Sequence, residues 1–229
     1  MKKIYYLLCA GLLLTSCKKD DGIKSTVGSL IIVNATTDAN PLAVNYASPS
    51  LVWSKNTTQI YGNSFMEFGL SNGGNRLTLI SSADTAKSFF SGNLNLVTGG
   101  IYSLYVAGTV AYYDTVFMKD QIPYYAADSV AGARFINLSP DSQPVSINLQ
   151  GSATKEFSSL AYKKITAFKK YPATMAVINN GGYVYEVTDA SGNVLTTFYW
   201  TPTVFKNNTL VISGSISDGS ISVFPVNNY

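Results

Sequence analysis

The feature that most constrains the fold of this chain is an internal repeat. Residues 30–47 (LIIVNATTDANPLAVNYA) align without a gap with residues 133–150 (ARFINLSPDSQPVSINLQ). The aligned identities are Asn34 with Asn137, Asp38 with Asp141, Pro41 with Pro144, and Asn45 with Asn148. A period of about a hundred residues is the size of one immunoglobulin-like β-sandwich and exceeds the period of solenoid repeats. The repeat therefore predicts two similar domains in tandem.

The local pattern predicts that both domains are built from strands. Apolar and polar residues alternate in segments such as 76–79 and 93–96, as in strands with one face exposed to water. About seven such segments, bounded by turn residues, occur in each half, and no long helical period is present. We therefore predict an all-β chain with two tandem immunoglobulin-like β-sandwich domains, residues 28–123 and 131–229.

Two hairpins are predicted in the second half. Residues 211–217 and 220–223 flank Asp218-Gly219, which favours a two-residue type I′ turn because both residues tolerate positive φ. Residues 183–187 and 194–200 flank a loop rich in Asp, Ser, Gly and Asn. Calcium could use the oxygens of that loop, but tight turns select the same residues, and we favour the turn.

The N-terminal residues 1–16 are typical of a secretory leader. Lys2 and Lys3 precede an almost wholly apolar run over residues 4–14, and small residues follow. The run is little more than half of the roughly 20 residues that a membrane-spanning helix needs. We therefore predict that the leader is removed.

The residues at the end of the leader predict a lipid anchor. Leu14-Thr15-Ser16-Cys17 resembles the lipobox of bacterial lipoproteins, in which the cysteine is acylated and becomes the new N-terminus. The alternative is that Cys17 is an ordinary residue of a secretory signal. The next residues, Lys18-Lys19-Asp20-Asp21, resemble the charged tract of Bacteroidota lipoproteins displayed on the cell exterior, and would also serve as a solvated tether. We expect residues 17–27 to tether the protein to the outer membrane, facing outwards.

Composition excludes several function classes. The chain has 16 basic and 13 acidic residues, and removal of Lys2 and Lys3 with the leader leaves 14 against 13. This balance offers no electrostatic footprint for nucleic acid. The chain has no histidine, and Cys9 leaves with the leader, so the commonest metal ligands and general bases are missing. We predict no metal site and no cofactor.

The residues that could support catalysis are sparse. The acids Glu67, Asp84, Asp114, Glu156 and Glu186 are scattered without a local pairing motif. A serine nucleophile would lack its histidine, and no Gly-x-Ser-x-Gly motif occurs, although a Ser-Lys dyad stays open. Asp38 and Asp141 fit turn caps better than catalytic acids, because proline and serine surround Asp141. We therefore predict no catalytic residues and no enzyme activity.

The repeat also carries a family resemblance. The segment ARFINLSPDSQPVSINLQG, residues 133–151, is similar to the opening of the family called domain of unknown function 4397, and YSLYVAGT, residues 102–109, is similar to a later strand of it. In the first copy Thr36-Thr37-Asp38 replaces the Ser-Pro-Asp of the family. The resemblance implies two copies of a β-sandwich found in bacterial cell-surface and lipid-anchored proteins. It implies no activity and no catalytic residues.

Aromatic pairs suggest a binding function. Tyr112-Tyr113, Tyr124-Tyr125 and Tyr199-Trp200 place rings on adjacent residues. The alternative is that most of these rings belong to the core. Adjacent residues of a strand point opposite ways, so we expect one ring of Tyr112-Tyr113 and one of Tyr124-Tyr125 to face solvent. Exposed Tyr and Trp can stack on sugar faces or contact a protein. We predict a surface module that binds a glycan, a peptide or a partner lipoprotein, with Tyr112, Tyr113, Tyr124 and Tyr125 as candidate ligand contacts. The alternative is a structural spacer, adhesion or assembly subunit without a small ligand.

The predicted anchor is tested by replacing its cysteine. Cys17 is the predicted attachment site of the acyl chains, so Cys17→Ser should remove them and release the protein from the membrane fraction. We expect incorporation of an alkyne-labelled palmitate by the wild-type protein, expressed in a bacterium that acylates lipoproteins, and none by Cys17→Ser. Equal membrane association of both proteins would contradict the lipid anchor. Cys9→Ser is the matched control and should leave labelling intact.

Overall fold

The computed structural model describes residues 27–38, 41–46, 58–86, 88–109, 112–125 and 129–229. The predicted leader, Cys17 and the predicted tether up to residue 26 lie outside these residues. No helix in the described ranges is long and apolar enough to cross a membrane.

The first half of the described chain contains eight strands. Their bounds are β1 (Val27–Thr36), β2 (Leu42–Tyr46), β3 (Gln59–Ile60), β4 (Ser64–Ser71), β5 (Gly73–Ser81), β6 (Ser88–Leu96), β7 (Ile101–Gly108) and β8 (Tyr113–Lys119). They form two sheets, β4-β1-β7-β8 and β3-β2-β5-β6, which pack around one apolar core.

The second half contains eight strands and one short helix. Their bounds are β9 (Val130–Asn137), β10 (Val145–Leu149), β11 (Lys155–Leu160), β12 (Lys169–Pro172), α1 (Met175–Asn179), β13 (Tyr183–Thr188), β14 (Val194–Trp200), β15 (Asn207–Ser213) and β16 (Ser222–Asn227). They form the sheets β12-β9-β15-β16 and β11-β10-β13-β14 around a second core.

The two halves have the same topology. Adding eight to each strand number of the first half reproduces both sheet orders of the second half. In each half the first and seventh strands pair in parallel, as β1 with β7 and β9 with β15, and the other paired neighbours are antiparallel. The predicted all-β architecture with two tandem β-sandwiches is confirmed. Within the described residues each sandwich has eight strands rather than about seven.

The repeated asparagines explain part of this shared architecture. Asn34 Nδ2 donates to the Ile60 carbonyl at 3.0 Å, and its Oδ1 accepts from Thr36 N. Asn137 Nδ2 donates to the Leu160 carbonyl at 3.0 Å, and its Oδ1 accepts from Ser139 N. Both side chains are fully buried. Each asparagine therefore ties the end of the first strand of its domain to the opposite sheet, with its buried amide hydrogen-bonded.

The domains pack face to face through their inner sheets, β4-β1-β7-β8 and β12-β9-β15-β16. A third apolar core, the interdomain core, joins Ile31, Val33 and Tyr105 of the first domain to Ile136 and Val211 of the second. Alternate residues of the same strands face the opposite way into the core of their own domain. The strands β1, β7, β9 and β15 are thus buried on both faces, which accounts for apolar runs such as LIIV in β1. The molecule is a four-layer stack of sheets.

A buried polar cluster lies at the edge of the interdomain core. Arg134 Nη2 forms an ion pair with Asp120 Oδ1, and the Arg134 and Asp120 side chains are 5% and 0% exposed. Ser103 Oγ donates to Asp120 Oδ2 at 2.6 Å, and Arg134 Nε donates to Thr209 Oγ1 at 2.9 Å. Thr209 in turn donates to Asn228. The cluster crosses from the first domain to the second, so it fixes how the two sheets meet.

The predicted type I′ turn at Asp218-Gly219 is wrong. The last paired residues of the hairpin are Ser213 and Ser222, and Asp218 is not among the described residues with positive φ. β15 stops at Ser213, and Gly214, with φ of 84°, begins an eight-residue connection, 214–221. The Asp141 carboxylate accepts from Ile216 N and Ser217 N, both at 2.9 Å. This aspartate caps amides of a distant loop, and these contacts organise a longer connection. The second predicted hairpin is confirmed by β13 and β14.

Replacing Asp120 should destabilise the whole molecule. Asp120→Ala leaves Arg134 buried without its partner, which typically costs about 3–5 kcal/mol of unfolding free energy. We expect Asp120→Ala with Arg134→Met to be more stable than Asp120→Ala alone, because the double variant buries no unpaired charge. Urea unfolding followed by circular dichroism measures both.

The matched control for Asp120 is the exposed interdomain pair of Lys163 Nζ and Asp114 Oδ1, 2.9 Å apart. Lys163→Ala should cost no more than about 1 kcal/mol, since exposed pairs are screened by water. A cost of Asp120→Ala as small as that of Lys163→Ala would contradict a structural role for the buried pair.

The Asp141 contacts predict a pH dependence of stability. Burial alone would raise the pKa of Asp141, but hydrogen bonds from Ser215, Ile216 and Ser217 outweigh it and hold the pKa below its usual range. A depressed folded-state pKa stabilises the fold above the unfolded value of about 3.9, and this stabilisation is lost as the pH falls towards the folded-state pKa. The free-energy gap between wild type and Asp141→Asn should therefore be largest above about pH 4 and should shrink in stronger acid. Urea unfolding of both proteins over this pH range measures the gap. The titration of the other carboxylates contributes equally to both proteins and cancels in the difference. A gap independent of pH would contradict the stabilising role of the Asp141 carboxylate.

Candidate functional site

The four tyrosines predicted as ligand contacts lie in different surroundings. Tyr112 and Tyr124 are 86% and 88% exposed. Tyr113 is 47% exposed, and its ring lies 5.4 Å from that of Phe89. Tyr125 is half-buried and lines a pocket at the junction of the two domains. The role of all four in binding stays a prediction.

A groove that the sequence did not indicate opens beside the third aromatic pair. Two adjoining concavities of about 320 and 210 Å³ lie along β14 and β16 of the second domain. They share Thr203, Asn208 and Asn227, and Tyr199 and Tyr229 line one concavity each. We call this combined concavity the edge groove. No acidic residue is among the described residues that line it.

The aromatic residues of the edge groove follow from the alternation of β14. Tyr199 is 69% exposed, whereas the adjacent Trp200 is 3% exposed and points into the core. Adjacent residues of a strand thus face opposite ways in this pair. The same expectation is wrong for Tyr112 and Tyr113, which are both exposed because Tyr112 precedes β8, and Tyr124 and Tyr125 lie outside the strands. Tyr229, which is 40% exposed, supplies a second accessible ring.

A chain of hydrogen bonds orients the amides of the edge groove. Trp200 Nε1 donates to Asn208 Oδ1 at 3.1 Å, and Asn208 Nδ2 donates to Asn227 Oδ1 at 2.8 Å. An indole N–H can only donate, so it determines which end of the Asn208 amide faces it, and Asn208 then determines the orientation of Asn227. The exposed Asn227 therefore turns its Nδ2 donors away from this chain.

The start of this chain is held rigidly by other aromatic rings. The Trp200 indole stacks on Tyr183 with centroids 5.7 Å apart and contacts the edge of Tyr171 at 5.5 Å. The Tyr171 hydroxyl donates to Glu156 Oε2 at 2.9 Å. Burial raises the pKa of Tyr171 and Tyr185 well above the usual range, so both phenols are neutral at physiological pH. The edge groove is therefore preformed on a packed base of neutral aromatic rings.

The first domain fills the equivalent position with its own side chains. Ile32 and Phe135 are equivalent in the aligned repeat, and they pair with Leu104 and Leu210. Two residues earlier in each of these partner strands, Tyr102 therefore corresponds to Asn208. By the same register, Phe117 corresponds to Pro225. Tyr102 stacks on Phe117 with centroids 5.6 Å apart and planes within 6°. Two stacked rings thus occupy in the first domain the place where Asn208 and Pro225 border the groove in the second.

A larger concavity of about 780 Å³, the junction pocket, lies where the two domains meet. The end of β8 and the linker after it supply Met118, Lys119 and Ile122, and the second domain supplies Arg134 and residues 165–168. The Arg134 guanidinium lies 4.4 Å from the centroid of the Phe168 ring. Binding pockets often lie at such domain boundaries.

The acidic loops do not assemble a metal centre in the described part of the chain. No group of three or more His, Cys, Asp or Glu side chains that could hold a metal is found there. In the loop considered for calcium, both Asp189 oxygens accept from Asn193, at 2.8 Å each. These bonds lower the pKa of Asp189, and its carboxylate serves the turn.

Three residues of the edge groove were not singled out from the sequence: Asn208, Asn227 and Tyr229. Asn208 and Asn227 are cross-strand partners in β15 and β16. Their pairing depends on the register of a hairpin whose connection was predicted too short. Asparagine is also common in loops, so neither residue carries a distinct signal by itself.

Comparisons with known proteins add little to this description. No protein-family model and no curated protein matches the chain. The C-terminal domain of AlgF from P. aeruginosa is similar over 42% of this chain and 99% of that domain, at 16% identity and a TM-score of 0.31. The Bacillus anthracis TIE protein is similar over 83% of this chain and 34% of its own length, at 14% identity and a TM-score of 0.25.

A leucine-rich repeat protein from Bacteroides thetaiotaomicron is similar over 83% of this chain and 26% of its own length, at 12% identity and a TM-score of 0.21. The chain thus spans about a third of the TIE protein and about a quarter of the leucine-rich repeat protein. TM-scores this low support no inference about fold or function. The resemblance to domain of unknown function 4397 stays a prediction.

Proposed function

We propose that this protein is a lipid-anchored cell-surface module that binds a glycan in the edge groove, without catalysis. The observation that carries the proposal is the position of the exposed Tyr199 ring beside Asn227, whose amide is oriented by Trp200 and Asn208. The anchor rests on the lipobox at Cys17, which lies outside the described residues.

The chemistry of the edge groove fits a sugar, either neutral or anionic. An exposed tyrosine offers an apolar face for the C–H groups of a sugar ring. The Asn227 amide and the Thr201 and Thr203 side chains offer donors and acceptors for sugar hydroxyls. Because no acid lines the described groove, an anionic sugar would meet no repulsion, and Lys206 at one end would attract it.

Preorganisation supports binding over a merely accidental surface groove. Trp200 and Asn208 are 3% and 6% exposed, and their hydrogen bonds orient the exposed Asn227 amide before any ligand arrives. A side chain that is already ordered loses less conformational entropy on binding.

A structural spacer is the second candidate, and the interdomain core favours it. The central strands of the inner sheets, β1, β7, β9 and β15, are buried on both faces, so the two domains are held as one unit rather than joined by a flexible linker. A stiff stack would hold a partner away from the membrane. The two candidates differ in whether the edge groove has a ligand.

The glycan proposal predicts a stabilisation that depends on Tyr199. All described strands and the three apolar cores lie within residues 27–229, so a protein of residues 22–229 contains the whole described fold. We expect a member of an oligosaccharide panel to raise its melting temperature, as a ligand at a hundred times its Kd should stabilise it by about 2.7 kcal/mol. Titration calorimetry then gives the affinity.

Tyr199→Ala should weaken that affinity by about 0.5–1.5 kcal/mol, up to roughly tenfold, because the stacking ring is lost. Asn227→Ala should also weaken it, whereas Tyr61→Ala should not, since Tyr61 is similarly exposed at 64% and lies in the first domain. The absence of any stabilising glycan would favour the spacer, and equal losses for Tyr199→Ala and Tyr61→Ala would place the site elsewhere.

A further inference from the structure

We propose that the junction pocket is a second binding site, for a small amphipathic anion that carries a carboxylate on an apolar chain. Medium-chain fatty acids such as octanoate represent this class. The site shares no residue with the edge groove, so this inference goes beyond the proposed glycan binding and does not depend on it.

The walls of the junction pocket suit an apolar chain. Met118, Ile122 and Pro123 line it from the first domain and the linker, and Ile165 and Phe168 line it from the second domain. Met118 and Ile165 also pack against the interdomain core. A volume of about 780 Å³ lies within the usual range for small-molecule sites, roughly 300–1,000 Å³.

The charged groups around the junction pocket suit an anion. Lys119, Arg134 and Lys170 line it, and no acid does so among the described residues. Arg134 is neutralised by Asp120, but neither Lys119 nor Lys170 forms an ion pair within the described part of the chain. Two uncompensated ammonium groups beside an apolar cavity would attract a carboxylate and repel a cation.

The described part of the linker at the junction pocket, residues 120–125, is held by contacts with both domains. Asp120 N donates to the Ile101 carbonyl at 2.8 Å, and the Pro123 carbonyl accepts from Asn207 Nδ2 at 3.1 Å. Tyr125 lies so close to Gly132 that a Cβ there would come within 2.6 Å of the tyrosine hydroxyl. The linker thus joins both domains by direct contacts, and the pocket is a preformed feature of their packing.

The methionine methyl groups provide a local test. Apart from Met1 the chain has Met66, Met118 and Met175, and of these only Met118 lines the junction pocket. In a protein of residues 22–229 labelled with ¹³C at the methionine methyls, octanoate should shift the Met118 resonance in a saturable way. Met66 and Met175, which are exposed elsewhere, should not shift.

The head group tests the charge. We expect octanoate to bind at least about fivefold more tightly than 1-octanol or octyltrimethylammonium, since only the carboxylate is attracted by the lysines. Lys119→Gln with Lys170→Gln should remove this preference. Arg76→Gln with Lys155→Gln makes the same change in net charge at residues that line neither the junction pocket nor the edge groove, and should preserve it.

A blocking variant completes the test. Ala167 is an exposed lining residue, and Ala167→Trp should occupy part of the junction pocket and weaken the binding of octanoate that the Met118 shift reports. Unchanged Met66 and Met175 resonances would show that this variant is folded. The proposal is overturned if octanoate leaves Met118 unmoved below its micellar concentration, if the three head groups bind equally to the wild type, or if Ala167→Trp binds octanoate as tightly as the wild type.

Discussion

The rest of this structure depends on the central strands of the two inner sheets, β1, β7, β9 and β15, being buried on both faces. Each inner sheet packs against the outer sheet of its own domain on one side and against the other inner sheet on the opposite side. The interdomain core therefore has the character of a domain interior rather than of a contact between separate modules. The buried pair of Asp120 and Arg134 determines how the two inner sheets are oriented against each other. Apolar contacts alone are not directional, whereas a buried charge must meet its partner.

The polar cluster at this interface also shows how a duplicated domain becomes asymmetric. By strand register, Ser103 corresponds to Thr209 and Asp120 to Asn228. The serine donates to the aspartate in the first domain, and the threonine donates to the asparagine in the second. Arg134 contacts both hydroxyl-acceptor pairs, through Asp120 and through Thr209. One arginine, at the position of Ile31 in the first copy, thus turns two equivalent pairs into a single cluster.

The same asymmetry places both proposed sites. The edge groove lies where Asn208 and Pro225 stand in place of the stacked Tyr102 and Phe117 of the first copy. The junction pocket lies where the end of the first domain, the linker and the start of the second domain meet, a place that no single copy contains. The repeated architecture supplies a rigid scaffold, and the differences between the copies and the junction itself supply the concavities.

Much of the fold could be predicted from local pattern. Alternation and turn residues identified segments that became β5, β6, β13 and β14, and the aligned asparagines marked equivalent hydrogen bonds in both copies. The candidate site was harder to predict, because exposure distinguishes Tyr199 from Trp200 and the cross-strand register joins Asn208 to Asn227. The connection between β15 and β16 was predicted too short, since Asp141, far away in the sequence, holds its amides.

The sequence by itself determined the class of the fold and its duplication, because strand alternation and a hundred-residue period are written in the order of the residues. Only the tertiary structure decided that the two sandwiches stack through their inner sheets, that Asp120 meets Arg134, and that a groove and a pocket open at particular places. These outcomes depend on contacts between residues far apart in the chain. A local pattern shows that a strand buries its side chains, but it does not specify which distant surface covers them.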